Sequence, residues 1–174
     1  MSGSGAEPRW LSDEDQCVWR QIIAVINLLP VELERELQRE HGLSIHDYQI
    51  LVHLSENREG EVRLTDLAEA TQQSKSRLSH QMTRMENAGL VARRNCPTDR
   101  RGAFAELTDA GWALLRAAAP THVEGVRRHL MDVMTPQQKL VVGEAFGAVA
   151  ERLRPPGRAC PSLRPGAKPE AAAS

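Results

Sequence analysis

One change of period constrains what this chain can fold into. Between 75 and 88 the apolar residues Leu78, Met82 and Met85 recur four and three apart, which sets them on one stripe of a helix. Gly89 ends that helix. Two short runs then follow, 90–95 and 103–107, on either side of the turn-rich Cys96-Pro97-Thr98-Asp99-Arg100-Arg101-Gly102. Two strands alone are marginal, so such a hairpin must lean on the helices. Just upstream, Thr65 is expected to cap a short helix over 66–71 that buries Leu67 and Ala68, and Gln72-Gln73-Ser74 turns into the helix at Lys75. The pattern predicts a helix-turn-helix running into a basic β-hairpin.

The flanking segments have helical spacing throughout. Ser12 followed by Asp13, Glu14 and Asp15 is a helix start, with a hydroxyl for the free N–H groups and carboxylates at the positive dipole end. Val18, Trp19, Ile22, Ile23, Val25, Ile26, Leu28 and Leu29 then make an apolar surface too wide for one stripe. It fits a subunit interface, or else a central core helix in a monomer. Pro30 should kink this helix or begin a second one, continuing through Leu33 and Leu37 to His41 and Gly42. Ser44 and Asp47 repeat the capping pattern ahead of Ile50, Leu51 and Leu54, residues 58–61 form a turn, and 62–64 allow only a small edge strand. Thr108 caps a long helix through Leu114, Leu115, Val123, Val126 and Leu130 to Met134, with a bend at Pro120. Thr135-Pro136-Gln137-Gln138 is a capping box with proline at the first helical position. The last helix puts Val142, Ala145, Phe146, Val149 and Leu153 on one stripe.

The fold class expected is mainly α, an α+β winged helix-turn-helix in the order α1-α2-β1-α3-α4-β2-wing-β3-α5-α6. Residues 10–153 form one domain, with the terminal helices as a dimerisation region. Residues 1–9 and 154–174, the latter holding half of the ten prolines, are expected to be mobile tails.

Charge points to the same stretch. The chain has 174 residues, 41% apolar, and a formal net charge of −1, so a nucleic-acid signal must be local. It is local: within 72–102, Lys75, Arg77, Arg84, Arg93, Arg94, Arg100 and Arg101 face only Glu86 and Asp99. Opposite the Leu78 stripe lie Ser76, Ser79, His80 and Thr83, with Arg77 and Arg84 on the flanks and Ser74 and Lys75 at the helix N-terminus. Short hydroxyl side chains admit a helix to the floor of a major groove, arginines reach guanine edges or phosphates, and the helix N-terminus favours phosphate. An arginine-tipped hairpin alongside can enter the neighbouring minor groove. Asp99, a carboxylate that would repel phosphate, suits an intramolecular anchor.

Asp99-Arg100-Arg101-Gly102 running through Ala103, Phe104, Ala105 and Glu106 to Leu107-Thr108 resembles the wing signature of the MarR family of winged-helix regulators. Residues 74–91 resemble that family's recognition helix and its exit into the wing. The likeness covers roughly residues 10–153. It implies a homodimer whose first and last helices intertwine, a pseudo-palindromic double-stranded DNA operator, and repression relieved by a small ligand or by oxidation. By the same resemblance Arg101 matches the arginine that enters the minor groove, and Asp99 matches the aspartate that braces it or Arg77. The expected DNA contacts are Ser74, Lys75, Ser76, Arg77, Ser79, His80, Thr83, Arg84, Arg100 and Arg101.

The inducing signal is less determined. Trp19, Arg20 and Tyr48 could line a cleft for a small aromatic or phenolic effector, or could be core. Cys17 lies near a helix start, as in family members that sense hydroperoxides, yet neighbouring carboxylates disfavour a thiolate and an inert thiol is the alternative. His122 and His129, seven apart, invite a zinc reading, but without a Cys or carboxylate pair at ligand spacing they read as solvated. Three scattered cysteines fit neither a disulfide framework nor a zinc site, and with no signal sequence or membrane-length apolar run the expected home is the cytoplasm. No cofactor is called for. No catalytic triad, phosphate loop or metal cluster supports an enzyme. A winged-helix protein–protein interaction module, its basic wing binding acidic partners, remains as an alternative.

Overall fold

A computed structural model describes residues 8–57, 61–95 and 103–154 of the chain. Its elements follow the expected order: α1 (Asp13–His41), α2 (Ile45–Glu56), β1 (Val62–Arg63), α3 (Leu64–Ala70), α4 (Lys75–Asn87), β2 (Val91–Asn95), β3 (Ala103–Leu107), α5 (Asp109–Val126) and α6 (Pro136–Leu153). The three strands form one antiparallel sheet in the order β1-β3-β2, with Val62 opposite Ala105 and Val91 opposite Leu107. β1 thus pairs with the strand that returns from the wing, and the hairpin is anchored on its inner edge. The fold is a winged helix-turn-helix. The tails expected at 1–9 and 154–174 fall almost wholly outside the described residues, as do the wing tip at 96–102 and most of the expected turn at 58–61.

Local chemistry explains the element ends. Ser12, Ser44, Ser74 and Thr108 each accept a hydrogen bond from the backbone N–H three residues on, and Thr135 and Gln138 close a reciprocal capping box. Gly89, at φ 70°, makes the left-handed turn that carries α4 into β2. The N–H of Ile45, left free at the start of α2, donates to Glu34 Oε2 of α1 at 2.5 Å and ties the two helices together.

The core lies where the C-terminal half of α1 meets α2, α3, α4, the sheet and α5. Leu37, Ile50, Leu51, Leu67, Leu78, Met82 and Met85 are its largest fully buried side chains. Leu78, Met82 and Met85, the predicted stripe of α4, are 2%, 0% and 2% exposed.

Four expectations need correction. Of the two outcomes expected at Pro30 the second helix is not formed, because α1 runs unbroken across it; Pro30 and Ile26, whose carbonyl loses its helical partner, are both exposed. Thr65 does not cap α3. That helix starts at Leu64 straight from β1, with no side-chain cap at Arg63, and the Thr65 hydroxyl donates to Asp66 Oδ1 instead. The helix expected to reach Met134 stops earlier: α5 ends at Val126 and one π-helical turn, Arg127–Met131, follows. His122 and His129 are not solvated. His122 packs on the Tyr48 ring with centroids 4.5 Å apart, and His129 Nε2 lies 2.8 Å from Glu36 Oε1.

The π-helical turn has a visible cause. Arg128 and His129, adjacent in sequence, both bind the buried Glu36 carboxylate of α1. Gly125 leaves room for it, since a Cβ there would collide with Glu36 Oε2. A regular helix would set consecutive side chains about 100° apart. The extra residue in the turn brings both donors to one acceptor.

Candidate nucleic-acid interface

The two faces of α4 have separate partners. Its apolar stripe locks into the core, and this fixes the azimuth of the helix. Ser76, Ser79, His80 and Thr83 are in consequence all exposed on the other side, with Arg77 beside them. Thr83 Oγ1 donates to the Ser79 carbonyl at 3.0 Å, a back-bond that leaves its methyl outward. Ser74 Oγ accepts from Arg77 N at 3.2 Å, so this hydroxyl closes the helix end while Lys75 and Arg77 stand around it. The turn before α4 is tight, with Gln72 at φ 52° and Gln73 N donating to the Ala68 carbonyl at 2.9 Å. It fixes the angle between α3 and α4.

The positive charge is less free than the local sequence count suggests. Arg84 Nη2 donates to both oxygens of Asp47, at 2.6 and 2.8 Å. Arg93 binds Glu86, whose carboxyl is held below its ordinary value chiefly by that hydrogen bond. Arg94 binds Glu106 across the β2–β3 ladder, Nε to Oε1 at 3.0 Å, and this contact holds the guanidinium above its ordinary range. Among the described residues no carboxylate is paired with Lys75 or Arg77. Two of the three neutralising carboxylates, Asp47 and Glu106, lie outside the basic stretch, where counting along the chain could not find them.

Asp47, which sequence reasoning took only for a helix-start residue, is the hub of these contacts. Its backbone N–H meets Ser44 Oγ, and its side chain crosses to α4, where Gln81 Nε2 donates to Oδ1 at 2.8 Å. Gln81, a polar residue among core positions of α4, was the one available sign of such a partner. Between these groups opens a cleft of about 620 Å³ lined by residues of α1, α2 and α4.

The other candidates are dispersed. Asp99, Arg100 and Arg101 lie outside the described residues. Tyr48 is buried against His122, whose Nδ1 is also buried and has no hydrogen-bond partner among the described residues. Burial pushes the Tyr48 hydroxyl pKa up and the His122 pKa down. Trp19 and Arg20 are exposed on the first half of α1, and about 21 Å of helix separates Trp19 from Leu33, which shares the core with Tyr48. One chain does not bring the three together. Cys17 is exposed. Among the described residues no helix is long and apolar enough to cross a membrane.

Known proteins with this arrangement are DNA-associated regulators. The sequence profile of the MarR family matches residues 41–102. The crystal structure of AbsC, a MarR family transcriptional regulator from Streptomyces coelicolor, is 53% identical, over 84% of this chain and 99% of that one, with a TM-score of 0.79. Sco3205, a MarR family regulator from the same organism solved in complex with DNA, is 44% identical over 87% of this chain and 95% of its own, with a TM-score of 0.81. The HTH-type transcriptional regulator PecS of Dickeya dadantii is 25% identical over 138 residues, which is 76% of this chain and 81% of PecS.

Proposed function

The chain belongs to the MarR family of transcriptional regulators, and from that premise we propose that it acts as a homodimer, binding a pseudo-palindromic operator and repressing transcription from it. The observation that carries the proposal is the split of α4, with Leu78, Met82 and Met85 in the core and Ser76, Ser79, His80 and Thr83 left exposed beside two cations without carboxylate partners among the described residues. That face lies in the major groove, with Ser74 and Lys75 at the phosphate-facing helix end. Arg100 and Arg101, in the segment between β2 and β3, are assigned to the adjacent minor groove, and Asp99 to bracing Arg101 or Arg77. Sco3205, solved with DNA, supports this use of the fold.

Dimerisation is supported by the apolar surface that a single chain leaves uncovered. On α1, Val18, Trp19, Val25, Ile26 and Leu28 are exposed, and on α6 every residue is. Monomeric proteins rarely expose contiguous apolar surface on this scale. Paired through these helices, two copies of α4 meet successive turns of one duplex. Release by a small phenolic or aromatic effector draws support from Tyr48 and His122, an aromatic pair with one unpartnered buried nitrogen.

Selection from a random duplex pool tests the function. The expected product is an inverted repeat with half-sites about one helical turn, about 10 base pairs, apart, bound by two chains. Retention of all duplexes alike would sink the operator-binding proposal and favour an interaction module.

A further inference from the structure

Arg84 differs from the other cations of α4, and the difference originates in α2. Asp47 stands in the first turn of that helix with its side chain only 13% exposed, while the side chain of Arg84 is 65% exposed. The carboxylate is thus a nearly buried anchor at the root of a solvent-facing arginine. Its Oδ1 also takes the Gln81 amide at 2.8 Å, and Gln81 is itself buried, so the anchor is fixed from two sides. Among the described residues only Nη2 of Arg84 is engaged. A guanidinium has five N–H donors, so those on Nε and Nη1 remain available in a set direction on the flank of the exposed face. At a distance the Arg84–Asp47 pair is neutral. Lys75 and Arg77 have no such brake.

We propose that Asp47 is a specificity-determining positioning residue for DNA recognition: it cancels the long-range charge of Arg84 and fixes its remaining donors beside the reading face of α4. The proposal rests on operator binding by α4. An unrestrained arginine pairs with any phosphate it meets, and every such contact strengthens attraction to all duplexes through counterion release. A restrained one adds little to that general attraction. It contributes where a duplex presents an acceptor in the preset direction, and the side-chain order this requires exists before binding. Asp47 therefore lowers affinity for arbitrary DNA while raising discrimination.

The test uses the full chain as wild type, Asp47→Asn, Arg84→Gln and the double variant, each checked by circular dichroism and thermal melting. Each is titrated over a salt series against the duplex that wild type enriches from a random pool and against a scrambled duplex of equal composition. Asp47→Asn is expected to bind the scrambled duplex more tightly, with a log–log salt slope steeper by about 1, and to lose discrimination about tenfold. In the Arg84→Gln background the same change only removes an unpaired carboxylate and should not lower discrimination. Unchanged slope and discrimination in Asp47→Asn, or an equal loss of discrimination without Arg84, would overturn the proposal. Arg84→Gln decides independently if Asp47→Asn does not fold. It should lose discrimination, and the double variant, uncharged at this pair like wild type, should keep the wild-type scrambled-duplex slope, whereas a double-variant slope shallower by about 1 would show an ordinary phosphate contact and overturn the idea. A wild-type chain that enriches no duplex fails the operator reading itself, a result distinct from any variant effect.

Discussion

Helices α4 and α6 carry the same kind of apolar spacing and meet opposite surroundings. The α4 stripe is sealed in the core, whereas Val142, Phe146, Val149 and Leu153 of α6 are 37%, 49%, 52% and 76% exposed. Both helices are amphipathic, so both ask for a partner. For α4 the chain supplies it from α2, α3 and the sheet, and for α6 the described residues supply none that covers the stripe. An isolated helix of this length is marginal in water, even with the capping box at Thr135. Spacing therefore tells which face of a helix is buried, while only the tertiary structure tells whether the burying surface belongs to the same chain.

The most direct way to break this contrast is to put a charge on the α6 stripe. Phe146→Asp, combined with Val142→Asp, is expected to raise the dimer dissociation constant about a thousandfold, a cost of about 4 kcal/mol. Sedimentation at micromolar concentration should then show one chain where wild type shows two. An unchanged mass would mean that something other than a second copy covers α6. The matching change on α4 acts inside the chain: Met82→Ala should lower unfolding stability by about 2–5 kcal/mol through the cavity it leaves. Urea melts at constant protein concentration would measure it, and a loss below about 1 kcal/mol would contradict the packing described.

The same contrast sets what the sequence made legible. Helix ends, strand order along the chain and the α4 stripe are short-range: a cap with its N–H, a glycine at positive φ, apolar residues three and four apart. Most of these appear where expected, the cap at Thr65 and the reach of the fifth helix to Met134 being the exceptions. Contacts made across the fold were not legible. Asp47 reads as a helix-start residue until α4 is folded against α2, and nothing near Glu36 in the sequence announces Arg128 and His129, which arrive from 92 and 93 residues away. The π-helical turn belongs with these, because the two side chains it carries to the Glu36 carboxylate meet it only in the folded chain. The balance of charge in the basic stretch was misjudged for the same reason, since Arg84 and Arg94 are neutralised by residues outside it.

The Glu36 cluster sharpens the comparison, for it lies on the buried C-terminal half of α1, between Leu33 and Leu37. Hydrogen bonding by His129, then by Arg128, holds the Glu36 carboxyl below its ordinary value of 4.5, while burial works in the opposite direction. As pH falls the unfolded chain takes up this proton first. The stabilisation is therefore complete above pH 4.5 and disappears as pH drops through the lowered folded value. Glu36→Gln should cost roughly 1.5 kcal/mol at neutral pH and make the decline of the melting temperature on acidification shallower. Glu40 and Glu86 are also lowered but are present in both proteins, so the difference between the two curves isolates Glu36. Parallel curves would show that the cluster does not anchor α1.

The smallest effect on stability bears most on function, and it compares the outer faces of the two helices. Thr83 on α4 and Glu144 on α6 are both exposed, and replacing either by alanine should change stability by no more than about 0.5 kcal/mol. The Thr83 hydroxyl bonds only to its own helix, at the Ser79 carbonyl, so its loss costs the fold little. The two substitutions should nevertheless part company in a duplex selection. Thr83→Ala removes a hydroxyl and a methyl from the face assigned to the major groove, and the base preferred at one position of each half-site should shift or relax by about 1–3 kcal/mol. Glu144→Ala should return the wild-type duplex. If both variants select the same sequence as wild type, the polar face of α4 is no more than a solvated surface, and discrimination must reside in Arg77, Arg84 and the wing.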